Sequence, residues 1–319
     1  MNKVKITNIS SKLSKLKKYT LLRANSFILA SVLALTPINY NSISSLAATN
    51  KTQIGCDMSD SQLQDKCNWQ ELNKNFDFII LKATEGRLKQ NIDQNFAYFS
   101  NMCEKYSIPY GAYCYGIYPS KLNSNKLKQH QQDQVDLFLK TIEDKNITLP
   151  CYLDIEEENI KFTENKEKFT IVLDTWKNNI SQKGLLPGIY TNKSGYEKIL
   201  TAANQYNYDL SQFEFWISGS FANNYKQSKN LSQLTIPTTN TYSYKGEKYT
   251  ASILQVSDSI TDGGASDNQG KLDINVAFKD YQHPNQTPFK SKNVISILLA
   301  SGAILAIRQA VKKKQKLKF

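Results

Sequence analysis

Cys151-Tyr-Leu-Asp-Ile-Glu156 is a run of strand-forming residues that carries two carboxylates. Side chains alternate across a strand with period two, so Asp154 and Glu156 share one face while Leu153 and Ile155 share the other. A single Asp at a strand end is most often a turn or helix cap. Two acids on one face of an apolar strand are costly unless they are paired or put to use.

The same texture continues in both directions. Strands are predicted at Ile54–Asp57, Phe78–Thr84, Tyr110–Ile117, Cys151–Glu156, Gly188–Thr191, Phe213–Ser218, Ile253–Ser257 and Leu272–Asn275. Helical patterns separate the early ones, at Asn95–Tyr106, Lys126–Ile142, Phe162–Gln182 and Ser194–Ala202. This alternation predicts βαβ units and an α/β fold with a parallel sheet. Eight strands in a single domain over residues 52–280 suggest a closed barrel. The last three strands lack helices of convincing length between them, so a regular eightfold repeat fails in the C-terminal third.

Chemistry in such barrels collects at the C-terminal ends of strands. Asp57 ends the first strand, Glu85 follows the second, and Asp154 and Glu156 end the fourth; Asp273 in the last shares its face with Asn275. Clustered carboxylates raise one another's proton affinity, which can hold one of them protonated near neutral pH. A protonated carboxyl for the leaving oxygen and a charged one for the cationic transition state are what cleavage of a glycosidic bond requires.

Charge first points elsewhere. The chain of 319 residues has 40 Lys+Arg and 28 Asp+Glu, a formal net charge of +12 that suggests a polyanion partner. The excess is confined to the ends. Residues 1–48 hold seven basic residues and residues 286–319 hold eight, with no acid in either, leaving 25 basic against all 28 acidic residues between them. The middle is mildly acidic, and an acidic groove is a poor ligand for nucleic acid. No nucleic-acid partner is expected.

The ends read as addresses. Residues 1–48 have a basic stretch to Arg23, a short apolar run from Phe27 to Leu35, and small residues at Ser44, Ser45, Ala47 and Ala48. That is the anatomy of an export signal, with an uncleaved anchor as the alternative. Residues 281–293 form a Pro/Asn/Gln/Lys linker, and residues 294–319 a hydrophobic segment with a basic tail. The apolar part, 294–307, suits a segment that stops in the membrane with its end inside; a sorting tail for wall attachment is the other reading. An exported protein at the cell surface or outside the cell, held at the membrane through residues 294–307, is therefore expected. Five cysteines, an odd number without zinc-ligand spacing, and only two histidines give no metal site.

Several ordered motifs resemble one family. Gly55-Cys-Asp-Met-Ser59 with Gln62 and Asn68-Trp69, Phe78-Ile-Ile-Leu-Lys-Ala-Thr-Glu-Gly86, Ile108-Pro-Tyr-Gly-Ala-Tyr113, Leu149-Pro-Cys-Tyr-Leu-Asp-Ile-Glu156, Pro187-Gly-Ile-Tyr-Thr191, Phe215-Trp-Ile217, Leu254-Gln255 and Leu272-Asp-Ile-Asn275 are together similar to the glycoside hydrolase family 25 lysozymes. The resemblance implies an irregular TIM-like barrel of five β/α units followed by three further strands, (β/α)5(β)3. It implies hydrolysis of the β-1,4 bond between N-acetylmuramic acid and N-acetylglucosamine in peptidoglycan, by a monomer without cofactor or metal. Glu156 matches the general acid; Asp154 would orient the N-acetyl group or stabilise charge, and Asp57 and Asp273 match a second acidic pair. Tyr113, Tyr115, Tyr190, Trp216 and Gln255 are the candidate substrate-binding residues, with a core role open for each aromatic. Cys114 stands where the family usually has His, and Leu254 and Val256 where aromatics commonly flank the Gln, which puts subsite affinity in question. Two other readings stay open: a non-catalytic surface protein that keeps the barrel to bind glycan, and a different glycosidase such as a chitin hydrolase.

Overall fold

The computed structural model describes residues 52–219, 228–237, 239–244 and 247–281. The expectations for residues 1–48 and 294–319, and for the linker beyond Tyr281, lie outside the described residues. Among the described residues no helix is long and apolar enough to cross a membrane.

Strand and helix alternate from Gln53 to Tyr206. β1 (Gln53–Met58) leads to α1 (Trp69–Asn75), β2 (Phe78–Glu85) to α2 (Phe96–Tyr106), β3 (Tyr110–Tyr115) to α3 (Ser124–Thr141), β4 (Cys151–Asp154) to α4 (Lys166–Gln182), and β5 (Pro187–Asn192) to α5 (Lys193–Tyr206). After β6 (Glu214–Ser218) come a small hairpin, β7 (Thr241–Tyr244) and β8 (Glu247–Thr250), then β9 (Ile253–Ile260) and β10 (Leu272–Ala277). Eight strands close a barrel in the order β1-β10-β9-β6-β5-β4-β3-β2, with β7 and β8 paired apart from it. The architecture is the expected five β/α units followed by three barrel strands. The sheet is mixed, however: β10 runs antiparallel to both β1 and β9.

Asparagine starts most of the helices. The side chains of Asn68, Asn123, Asn165 and Asn192 accept from the backbone N–H of Glu71, Lys126, Lys168 and Gly195, at the starts of α1, α3, α4 and α5. Each cap satisfies a donor that the first turn leaves unpaired. The Asn165 cap explains why α4 begins later than periodicity predicts: residues Glu157–Glu164 form a 3-10 helix ahead of it. Ser107 and Asn207 end α2 and α5 in the left-handed conformation, with φ of 57° and 55°.

Strand alternation divides the core in two. Cys56, Ile79, Leu81, Ala112, Cys114, Leu153, Ile189, Ile217, Leu254 and Ile274 face outward into the layer between sheet and helices. Phe78, Ile80, Tyr152, Trp216, Ile253 and Ala277 face inward and fill the barrel, with Tyr281 among them. These rings leave no room for side chains beside them. A Cβ at Gly55 would lie 2.4 Å from the Phe78 ring, and one at Gly188 would lie 2.4 Å from the Tyr152 ring. All five cysteines are free; Cys67 is half-buried and the others are buried.

Candidate active site

The lower part of the barrel is plugged by rings, so polar inward positions collect at the end where the parallel strands finish. Alternation from Gly55 puts Asp57 there on β1, and from Tyr152 it puts Asp154 there on β4. Both are buried, at 8% and 5% exposure. Glu156 lies two residues past Asp154 with extended backbone (φ −89°, ψ 159°), so it keeps the same facing at the mouth, where it is half-buried. Asp273 reaches this end by a different route. β10 runs the other way, so its first residues, not its last, stand at the mouth, and Asp273 is directly opposite Asp57 in the ladder. Register irregularities between β10 and β9 flank Ile274, a local distortion of the kind that re-aims side chains beside functional sites.

One hydrogen-bonded network joins most of the predicted residues. The Gln255 amide Nε2 donates to Asp57 Oδ2 at 2.9 Å and approaches Asp273 Oδ2 at 3.3 Å. Asn275 Nδ2 donates to the same Asp57 Oδ2 at 2.8 Å. The Tyr190 hydroxyl donates to Gln255 Oε1 at 2.9 Å, and the Trp216 indole Nε1 donates to Asn275 Oδ1 at 2.7 Å. Burial pushes the Asp57 carboxyl above the ordinary range, partly offset by the Asn275 and Gln255 amides. Burial also raises Asp273, and the neighbouring charge of Asp57 adds to the rise. Two carboxylates opposite each other cannot both ionise easily, so the proton affinity of each depends on the charge of the other.

Asp154 belongs to the same field. The Tyr190 hydroxyl is pushed up by burial and then by the negative charges of Asp154, Asp57 and Asp273. Tyr113 is raised by burial, then by Asp57 and Asp154. Around the barrel, β4 stands across from β10, so the Asp154–Glu156 face looks over the groove toward the Asp57–Asp273 pair.

The aromatic residues fall into two groups. Tyr113, Tyr115 and Tyr190 are half-buried and line the wall. Trp216 is only 1% exposed and lies beneath them, its ring centroid 5.9 Å from Tyr113, 4.2 Å from Tyr190 and 5.3 Å from Tyr152. It is the floor of the groove rather than a surface for a sugar to stack on. Cys114, Leu254 and Val256, the departures from the family pattern, point outward into the core behind the sheet.

Three residues were not predicted for the site. Asn275, fully buried, is the second amide on Asp57. Lys82, on the inward face of β2, reaches Glu85 Oε2 at 2.9 Å and lies 5.6 Å from the Tyr115 ring centroid. Burial lowers its ammonium, but Glu85, Asp60 and Asp93 together outweigh that and raise it. Asp93 accepts from the backbone N–H of Asp60 and Asn95 and so ties the loop after β1 to the loop after β2. Period-two counting from Phe78 would have found Lys82; the same counting sets Asn275 on the face of Asp273, without a role. Among the described residues no cluster of His, Cys, Asp and Glu could hold a metal ion.

Among solved structures, a glycosyl hydrolase 25 of Streptococcus pneumoniae, described as a virulence factor participating in host cell invasion, is similar at 16% identity. It has a TM-score of 0.50 and covers 73% of this chain and 90% of that one. The spore cortex lytic enzyme SleM of Clostridium perfringens is similar at 19% identity and a TM-score of 0.52, covering 71% and 67%. At such identities the likeness speaks for the fold alone. No curated protein matches the sequence. The family model for glycosyl hydrolases family 25 matches residues 57–253, a span that contains Asp57, Asp154 and Glu156 and more than half of the chain. On that match, which takes in the strand ends carrying Asp57, Asp154 and Glu156, the chain belongs to glycosyl hydrolases family 25.

Proposed function

We propose that this glycoside hydrolase is a peptidoglycan hydrolase of the N-acetylmuramidase type, cutting between N-acetylmuramic acid and N-acetylglucosamine. The observation that carries the reading is the facing of β4: Asp154 and Glu156 lie on the groove side, across the barrel from the Asp57–Asp273 pair. Glu156, at the mouth, protonates the leaving oxygen. Asp154, deeper and two residues earlier, orients the N-acetyl group or stabilises the positive charge that develops on the sugar. Asp57 and Asp273 supply further negative field from the opposite wall. Tyr113, Tyr115 and Tyr190 offer rings for sugar faces, and Gln255 holds the carboxylate pair in place.

The test is digestion of purified peptidoglycan by the full-length protein. New reducing ends bearing muramic acid are expected. Glucosamine at the reducing ends would move the cut to the other bond. Glycan binding without any new reducing end would favour a non-catalytic wall protein.

We infer further that the enzyme is exported and retained at the membrane. Support comes from the basic-then-apolar order of residues 3–35 and from the apolar run 294–307 followed by a Lys-rich close. Deleting residues 290–319 should release activity into the medium. Full-length protein found freely soluble outside the cell would overturn the retention.

A further inference from the structure

We propose that Trp216 and Asn275 form a positioning relay that keeps the negative charge of the groove's carboxylate pair on Asp57, so that the pair takes up its first proton on Asp273. The proposal rests on the hydrolase reading only for its catalytic consequence, not for its test.

The relay is fixed at one end by a group with no choice. An indole N–H donates and never accepts. Trp216 is immobilised among Tyr113, Tyr152 and Tyr190, and its Nε1 meets Asn275 Oδ1 at 2.7 Å. That contact settles which way the Asn275 amide points: oxygen to the indole, nitrogen to Asp57. The Nδ2 then donates to Asp57 Oδ2 at 2.8 Å in a position with no solvent access. Gln255 is oriented from its other end by the Tyr190 hydroxyl, and its Nε2 donates to the same oxygen at 2.9 Å. Asp57 Oδ2 therefore receives two amide protons at short range. Asp273 receives the Gln255 amide at the longer distance of 3.3 Å.

The surroundings of the two acids differ in the same sense. The Asp57 charge acts on Asp273 from β10, on Tyr113 from β3, on Tyr190 from β5 and on its chain neighbour Cys56, and Asp154 from β4 acts on the same two tyrosines. Asp273 is faced by Asp57 and by three further charged groups, Asp258, Asp267 and Lys271. Burial raises both carboxyls; the amides hold Asp57 back, while the Asp57, Asp258 and Asp267 charges lift Asp273 further against the single opposing Lys271. Hydrogen bonds to the ionised form favour it, and they are concentrated on Asp57. The consequence for catalysis is a fixed anion on the wall across from Glu156, where a cationic transition state would form.

The test is a carboxyl-carbon NMR titration of the full-length protein labelled at aspartate, without substrate, with Asp57→Asn and Asp273→Asn to assign the signals. On lowering the pH, Asp273 is expected to take the first proton and Asp57 to follow. Trp216→Phe keeps a ring and deletes the donor; it should raise the Asp57 midpoint by about one pH unit. Asn275→Leu should do the same. In the double variant the Trp216 change should add nothing, because Trp216 acts through Asn275. Asp57 protonating first in the native protein overturns the proposal. So does an unmoved Asp57 midpoint in Asn275→Leu, or a Trp216→Phe shift that persists in the Asn275→Leu background. If Trp216→Phe fails to fold, the order of protonation and the Asn275→Leu titration still decide.

Discussion

At the mouth of the barrel each acid has a distinct environment, and the distinction is set by backbone parity. Asp154 and Glu156 share a face and differ in depth, the first 5% exposed and the second half-buried. If Glu156 is the acid, Glu156→Gln should lower turnover on peptidoglycan by about 100-fold to 10,000-fold while leaving the melting temperature near that of the native protein. Normal turnover in the variant would remove Glu156 from that role. Deeper down, space becomes the constraint. Gly188→Ala would bring a Cβ to 2.4 Å from the Tyr152 ring and 3.1 Å from the Glu214 carbonyl oxygen. Overpacking of this kind costs roughly 1–3 kcal/mol, which denaturant melts would read as a lower midpoint. Parity also explains what the sequence showed at this scale. Counting by twos from apolar neighbours puts Asp57, Asp154, Glu156 and Asp273 on one side of their strands. It equally places Cys114, Leu254 and Val256 on the other, a distinction that motif matching position by position does not make. The bond from Trp216 to Asn275 was not legible, because it joins residues 59 apart through a register that only the closed barrel defines.

Among the elements, the hairpin lacks the sequence signature of a core strand. β7 and β8 are Thr, Tyr, Ser, Glu and Lys, without the apolar alternation of a core strand. The pair is held from outside by α5. Tyr242 bonds Glu197 and lies under the Lys193 ammonium at 5.0 Å, and Tyr249 meets Tyr196 edge-on at 6.2 Å and the Asn204 amide at 3.3 Å. It occupies the stretch between β6 and β9, where a regular repeat would place a helix. Tyr249→Ala should therefore destabilise by about 1–2 kcal/mol, and chemical denaturation of the full-length protein would measure it. An unchanged midpoint would mean that the hairpin adds no support. Helix α1, with seven residues, escaped notice for a plainer reason: it is too short to show a period.

Among the described residues, the shifted groups that bear on stability between pH 5 and pH 8 are three carboxyls and one imidazole. Burial pushes Asp93 up to about 6 from an ordinary 3.8, although the backbone N–H groups of Asp60 and Asn95 oppose the rise. Asp57 and Asp273 are raised as well. A carboxyl that binds its proton more tightly when folded stabilises the fold below its unfolded value. That contribution is lost as pH rises through the folded one. His130, lowered by burial and by Arg87 with Asp133 opposing, works in the opposite direction, since the folded state resists its charging. Three carboxyls against one imidazole set the sign. The melting temperature should be higher near pH 5 than near pH 8, and thermal melts across that range would reveal the reverse if burial did not dominate.

The barrel has a seam. The side chain of Gln53 accepts from the Tyr281 backbone N–H at 2.9 Å and donates to Asp280 at 3.1 Å, fastening the first strand to the residues just past the last. β1 and β10 are antiparallel neighbours whose outer ends lie at the same pole, away from the acidic mouth. Tension applied between those two ends would load the ladder from one side, opening its rungs one after another instead of shearing them together. A hold on either end alone sends no force across the seam. In single-molecule pulling through both ends, the domain should yield at low force, starting from Gln53 and Ala277.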